Sequence, residues 1–244
     1  ALVTSQQERK VGAEGMRELR ASGAYLQDPE VNAYLNELGQ RVLAANPSIR
    51  EPFEFFAVAD SGVNAFAMPG GYIGVNMGLV LLTQSESELA SVLAHEVAHV
   101  TQKHYARMMD DQRKNAWMGI AGLAGAVLAG AKGKGDAAQA VLLGSQAATV
   151  QNYLNFSREN EREADRIGYQ YLIRAQFDAS AMGVFMERLQ RATTISDTGV
   201  VPGYLRTHPI TLERIADANP RAASVEFKLA KESVDFHYLR SLSR

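Results

Sequence analysis

Residues 89–104 read LASVLAHEVAHVTQKH, and within them His95-Glu96-Val97-Ala98-His99 spells an H-E-x-x-H motif. No Pro or Gly interrupts the run, and its Ala, Leu, Glu, Gln and Lys are good helix formers. Leu89, Val92, Leu93, Val97 and Val100 recur at three- and four-residue steps, which turns one stripe toward a core. On such a helix His95 and His99 stand one turn apart on a common face, where two imidazole nitrogens can reach one ion. Neutral imidazole suits zinc, and a catalytic zinc site takes three protein ligands and leaves a fourth position for water. Glu96 follows the first histidine and can overhang that water as general base. The stretch therefore predicts an active-site helix of the zinc-hydrolase kind. A lone histidine on a helix is usually structural, so the prediction turns on a third ligand from elsewhere.

Composition narrows the search for that ligand. The chain has 244 residues, 46% hydrophobic and 21% charged, as expected of a globular protein with a sizeable core. A net charge of −2 implies no polyanionic partner and argues against nucleic-acid binding. With no cysteine, neither a disulfide nor a thiolate ligand is available, which leaves histidines and carboxylates. Absence of cysteine suits the cytosol and the periplasm alike. The opening ALVTSQQERK has neither a basic n-region nor an apolar h-region, so no signal peptide is visible in it.

The surrounding pattern is α+β and mostly helical. Residues 5–26 read as a helix opened by Ser5. Asp28-Pro29 leads into a second helix, 30–45, striped by Val31, Tyr34, Leu35, Leu38, Val42 and Leu43. Residues 53–59, 63–68 and 72–76 read as strands, with Asp60-Ser61-Gly62 and Pro69-Gly70-Gly71 as turns, and they predict a small antiparallel sheet. Thr83 with Glu86 has the pattern of a capping box opening the motif helix. Residues 116–131 are uncharged and rich in Gly and Ala. They fall short of the ~20 residues that cross a bilayer. The segment of about 115–150 is therefore expected to be a buried hairpin or a mobile flap, open to peripheral membrane contact. Helices are expected after Ser157, over 179–191 and over 211–218, with a polar loop at 192–204. A helical tail closes the chain.

Glu161, Glu163 and Asp165 share the helix that follows Ser157, and Glu161 and Asp165 lie on one face at i, i+4. That pair allows one carboxylate to bind metal while the other takes a ligand histidine's N–H. Alone, the run would read as a solvated acidic face paired with Arg158, Arg162 and Arg166.

Taken together, His95-Glu96-x-x-His99 followed by Ser157-Arg158-x-x-Glu161-x-Glu163-Ala164-Asp165 resembles the gluzincin family that includes HtpX-like proteases and the CAAX prenyl endoprotease. Asn64-Ala65-Phe66-Ala67-Met68-Pro69-Gly70-Gly71 is similar to that family's N-A-F-x-x-P-G-G segment. Thr207-His208-Pro209 with Arg214 is similar to its H-P…R element. The resemblance spans residues 5–225 or so and runs closest to the periplasmic BepA-like branch, whose members carry tetratricopeptide repeats behind the protease domain. It implies one zinc ion on His95, His99 and Glu161, the first acidic residue of the E-x-E-A-D run being the ligand, with Glu96 as general base. Asp165 and Arg214 match groups that brace the ligands from behind. His208 matches a histidine near the metal, either stabilising the oxyanion or acting as a fourth ligand that blocks the water position. Asn64, Ala65 and Phe66 match an edge strand along which an extended substrate would lie.

These expectations describe a zinc metallopeptidase domain over 1–225 and a helical tail, 226–244, that could open a repeat domain. They imply a periplasmic endopeptidase for unfolded or misassembled polypeptides, working near the outer-membrane assembly machinery. A chaperone-like assembly factor with a largely silent zinc site is the competing reading. The two differ in whether the fourth metal position is open and whether Glu96→Gln abolishes cleavage.

Overall fold

The computed structural model describes residues 4–108, 158–195, 203–223 and 232–242. The Gly/Ala segment at about 115–150, Ser157 and most of the 192–204 loop lie outside these residues, as does the expected boundary near 225. Among the described residues no helix is long and apolar enough to cross a membrane.

Helix α1 (Ser5–Ala21) starts from a capping box in which Thr4, rather than Ser5, is the cap and Gln7 its partner. Helix α2 (Pro29–Ala44) is capped by Asp28, whose carboxylate accepts from the N–H groups of Glu30 and Val31. Its stripe of Val31, Tyr34, Leu35, Leu38 and Val42 is buried. Three strands follow, β1 (Glu54–Val58), β2 (Ala65–Met68) and β3 (Tyr72–Asn76).

The sheet is mixed, not antiparallel throughout. Its order is β1-β3-β2, with β2 antiparallel to β3 and β1 parallel to it. The loop after β1 does not fold back as a hairpin. It drops onto the start of helix α3 (Met77–Leu82), where the N–H of Gly78 donates to Asp60 O and the Ser61 carbonyl occupies the space a Cβ at Gly78 would need. That leaves room for β3, buried at all five positions, to enter the centre. The outer edge of β1 is closed by α2, whose side chains act as a false strand. Asn36 Nδ2 donates to Phe55 O, and Asn36 Oδ1 and Asn32 Oδ1 accept from the N–H groups of Phe55 and Ala57. Among the described residues no strand pairs with the outer edge of β2.

Helix α4 (Glu86–Thr101) carries the H-E-x-x-H motif through the middle of the molecule. Every residue from Glu86 to His99 is buried, so the expected single stripe is in fact the whole helix surface. Its cap is Ser85, which accepts from Glu88 N; Thr83 instead ends α3, donating from its hydroxyl to Val80 O. Helix α5 (Arg158–Arg174) lies along α4. Gly168 permits the close approach, because a Cβ there would sit 3.0 Å from the backbone at Ala94 and His95. Helices α6 (Ala181–Ile195), α7 (Gly203–Thr207) and α8 (Leu212–Ala223) complete this side. Helix α9 (Val234–Leu242) returns to α2, and Phe236 and Leu239 join the main core.

Candidate metal centre

Helical pitch on α4 sets His95 and His99 one turn apart, and their Nε2 atoms lie 3.0 Å from one another. The same pitch on α5 aims Glu161 and Asp165 at that pair. Glu161 Oε1 is 3.3 Å from His99 Nε2, and its Oε2 is 3.4 Å from His95 Nε2. Asp165 Oδ1 is 3.0 Å from the other nitrogen of His95, Nδ1. His208 arrives just after α7. Its Nδ1 is 3.0 Å from Glu161 Oε1 and 3.4 Å from His95 Nε2, while its Nε2 is 3.4 Å from Glu96 Oε1. Tyr204, one turn earlier on α7, lays its buried ring against His208 with centroids 4.6 Å apart. Arg214 on α8 holds both α5 carboxylates. Its Nε and Nη2 donate to Asp165 at 2.6 and 2.8 Å, and its Nη1 lies 3.0 Å from Glu161 and donates to Pro209 O.

The electrostatics follow from burial against these partners. Burial opposes charge on His95, yet its hydrogen bonds to Asp165 and Glu161 prevail and raise it to about 10. Burial takes His99 well below the usual imidazole range. Glu161 and Asp165 resist the upward push of burial, Glu161 through His208 and His99, Asp165 through its bonds with His95 and Arg214, and both are lowered. Burial raises Glu96, with His208 and His95 offsetting part of the effect. A carboxylate shifted upward suits a general base.

Two observations test whether a metal fits. One ligand atom from each of His95, His99, Glu161 and His208 can be chosen so that all lie within 4.8 Å of one another. The five closest contacts in the group, taken over both Glu161 oxygens, are 3.0–3.4 Å, near the ~3.3 Å edge of a tetrahedron with ~2.05 Å bonds to nitrogen and oxygen. Second, both carboxylate oxygens of Glu96 are buried without a hydrogen-bond partner among the described residues. A buried orphan carboxylate needs a reason, and a water poised between it and a metal supplies one. Three imidazoles and a carboxylate without sulfur form a donor set suited to zinc. A cleft of about 280 Å³ between α2 and α9, lined by Glu30, Tyr34, Glu37, Asp235 and Tyr238, has no histidine among these residues and lies away from this chemistry.

Seven of the residues expected at the site, His95, Glu96, His99, Glu161, Asp165, His208 and Arg214, come together in one buried cluster. Asn64, Ala65 and Phe66 lie at the edge strand instead. Ala65 points into the core, Phe66 packs edge-on against Phe56, and the buried amide oxygen of Asn64 has no hydrogen-bond partner among the described residues. What this edge offers is main chain. A depression lined by Ala67, Met68, His99, Val100 and Tyr105 runs from it to the metal helix. Tyr204 and His104, which no motif in the sequence singles out, also join the cluster, and Glu163 reaches it through His104. The spacing of His104, five beyond His99, was the available signal, but on an unbroken helix it points elsewhere.

The profile of Peptidase family M48 matches residues 29–222. A Vibrio cholerae protein provisionally named a beta-barrel assembly-enhancing protease is 42% identical over 240 residues, 98% of this chain and 49% of its own length. The beta-barrel assembly-enhancing protease of Escherichia coli is 39% identical over 235 residues, 96% of this chain and 48% of that protein. A mitochondrial metalloendopeptidase of Schizosaccharomyces pombe is 31% identical over 185 residues, 75% of this chain and 50% of that protein. The chain thus spans about half the length of these relatives. With a profile match over most of its length and the buried His-Glu cluster inside that match, this chain belongs to Peptidase family M48.

Proposed function

We propose that this chain is the catalytic domain of a zinc-dependent endopeptidase that cleaves unfolded or misassembled polypeptides in the bacterial envelope, and that His208 holds it in a resting state. The observation that carries the reading is the orphan carboxylate of Glu96 beside a tight set of three histidines and Glu161. His95, His99 and Glu161 would hold the zinc, whose Lewis acidity polarises a carbonyl and lowers the pKa of water. Glu96 takes the proton from the attacking water and returns it to the leaving amine. Asp165 and Arg214 keep His95 and Glu161 aimed. The edge of β2 on which no described strand pairs offers N–H and C=O groups to an extended peptide, which selects against folded substrates. The names of the bacterial relatives support a place in outer-membrane protein assembly, hence the periplasm.

His208 Nδ1 lies within ligand range of the cluster, where it would occupy the position the water needs. The same contact favours the second reading, a chaperone-like assembly factor with a silent site. Degradation of an unfolded model protein by the zinc-loaded chain separates them. Cleavage that is slow in wild type, several-fold faster in His208→Ala and absent in Glu96→Gln supports a latched protease. If His208→Ala is as inactive as Glu96→Gln, His208 takes part in the chemistry and the latch is wrong. No cleavage by any form favours the chaperone-like reading.

A further inference from the structure

On a continued α4, His104 would point about 140° away from His99, at 100° per residue. The helix stops instead at Thr101. The N–H of Gln102 returns to Ala98 O, that of Lys103 donates to Val100 O, and Lys103 adopts φ +55°. This left-handed conformation is uncommon for a residue with a Cβ. A new turn begins at once, with Arg107 N–H donating to Lys103 O. It swings His104 back underneath the helix, fully buried, with its Nδ1 2.8 Å from Nδ1 of His99. His104 Nε2 is 3.0 Å from Glu163 Oε2, the same oxygen that receives a hydrogen bond from Arg107. Arg107 also donates to Asn160 Oδ1, one turn of α5 earlier.

The proton positions in this chain follow from one requirement. His99 Nε2 faces Glu161 and His95, so a metal bound there needs the Nε2 lone pair, and the His99 proton must sit on Nδ1. That N–H meets His104 Nδ1, which must then be bare, and the His104 proton must sit on Nε2, donated to Glu163. The two hydrogen bonds run in one direction, from His99 to a carboxylate.

We propose that His104 and Glu163 are positioning residues for His99, fixing the tautomer and ring angle that present Nε2 to the metal, as Asp165 does directly for His95. The left-handed turn at Lys103 delivers this relay. The inference rests on His99 being a ligand, and the general cost of losing such a partner is 10–100-fold in metal affinity. The test is zinc affinity, measured by competition with a chromogenic chelator on the purified chain, alongside the melting temperature of the metal-free form. His104→Ala should weaken zinc binding about 10–100-fold. His104→Asn, whose amide oxygen can stand where Nδ1 stands, should recover part of the loss. Glu163→Ala, which leaves the buried ring in place and guards against a misfolded His104→Ala, should weaken binding about severalfold. If all three variants bind zinc as tightly as wild type while their metal-free forms melt lower, the residues are merely structural and the proposal fails. If wild type itself takes up no zinc, the metal-site reading beneath it fails instead.

Discussion

The two halves of α4 are equally buried and treat their acids in opposite ways. In the first half, Glu86 Oε1 accepts from Tyr34 Oη and Ser233 Oγ at 2.8 and 2.7 Å, and its Oε2 faces Arg41 at 3.1 Å. Glu88 is held by two hydrogen bonds from Arg188 and one from the N–H of Gln84. In the second half, neither oxygen of Glu96 has a hydrogen-bond partner among the described residues, and His208 Nε2 stands 3.4 Å from Oε1. Their proton affinities separate accordingly. Burial pushes all buried carboxyls up, but the bonds from Ser233, Tyr34 and Arg41 outweigh it and Glu86 ends lowered, whereas Glu96 ends raised. Burial alone therefore does not mark a functional acid; burial left unpaid does. One half anchors α2 and α9 to the helix, and the other half leaves a buried carboxyl without a hydrogen bond among the described residues.

The largest expected effect separates activity from stability. Glu96→Gln should reduce peptide cleavage by roughly 10²–10⁴-fold, the range of a lost general base, without lowering the melting temperature. The sign of its pH dependence follows from the raised carboxyl. Its ionised form is disfavoured in the fold, so wild type carries a penalty at pH values above the folded pKa that vanishes as pH falls toward the ordinary 4.5. In the presence of chelator, Glu96→Gln should melt higher than wild type at neutral pH, with the gap closing on acidification. A lower melt at every pH would erase the contrast between the two halves.

Arg188→Ala makes the first half resemble the second by stranding Glu88. The Arg188 side chain is 23% exposed and that of Glu88 4%, so a loss of roughly 3 kcal/mol is expected, the low end for a broken buried pair, read by urea denaturation. Zinc affinity should be unchanged. Gly168→Ala should cost about 1–3 kcal/mol through overpacking. Because its Cβ would meet the backbone of His95, it should also weaken zinc binding, which Arg188→Ala does not. The smallest effect is Ser85→Ala, about 1 kcal/mol for a lost helix cap, visible as a modest fall in melting temperature with activity intact. The same substitution at Thr83 tests the alternative cap, which the structure assigns to the end of α3.

Acidification also tests the first half directly. Glu86 is lowered, so its ionised form adds stability above the ordinary 4.5, and that stability drains away as pH falls below it. Wild type should lose its melting temperature on this limb faster than Tyr34→Phe, which starts with less of that stabilisation.

The local chemistry was readable in the chain because short spacings on a helix translate directly into directions. His95 and His99 at i, i+4, and Glu161 and Asp165 at i, i+4, each define a face before any packing is known. Composition could add that no thiolate competes for the metal. Other features depend on where distant segments run, and periodicity carries no such information. Whether β1 pairs with β2, its neighbour in sequence, or with β3 depended on the loop at 60–64 settling on α3. The stripe on α4 gave way to burial on every side because α2, α5, α6 and β2 all pack against it. His104 looked like a residue on the far side of a helix until a left-handed turn at Lys103 reversed its direction. The motif residues and their chemistry were therefore set locally, by helical pitch and donor type. Sheet order, the orphaned state of Glu96 and the relay behind His99 were decided by tertiary packing, since each depends on contacts between segments far apart in the chain.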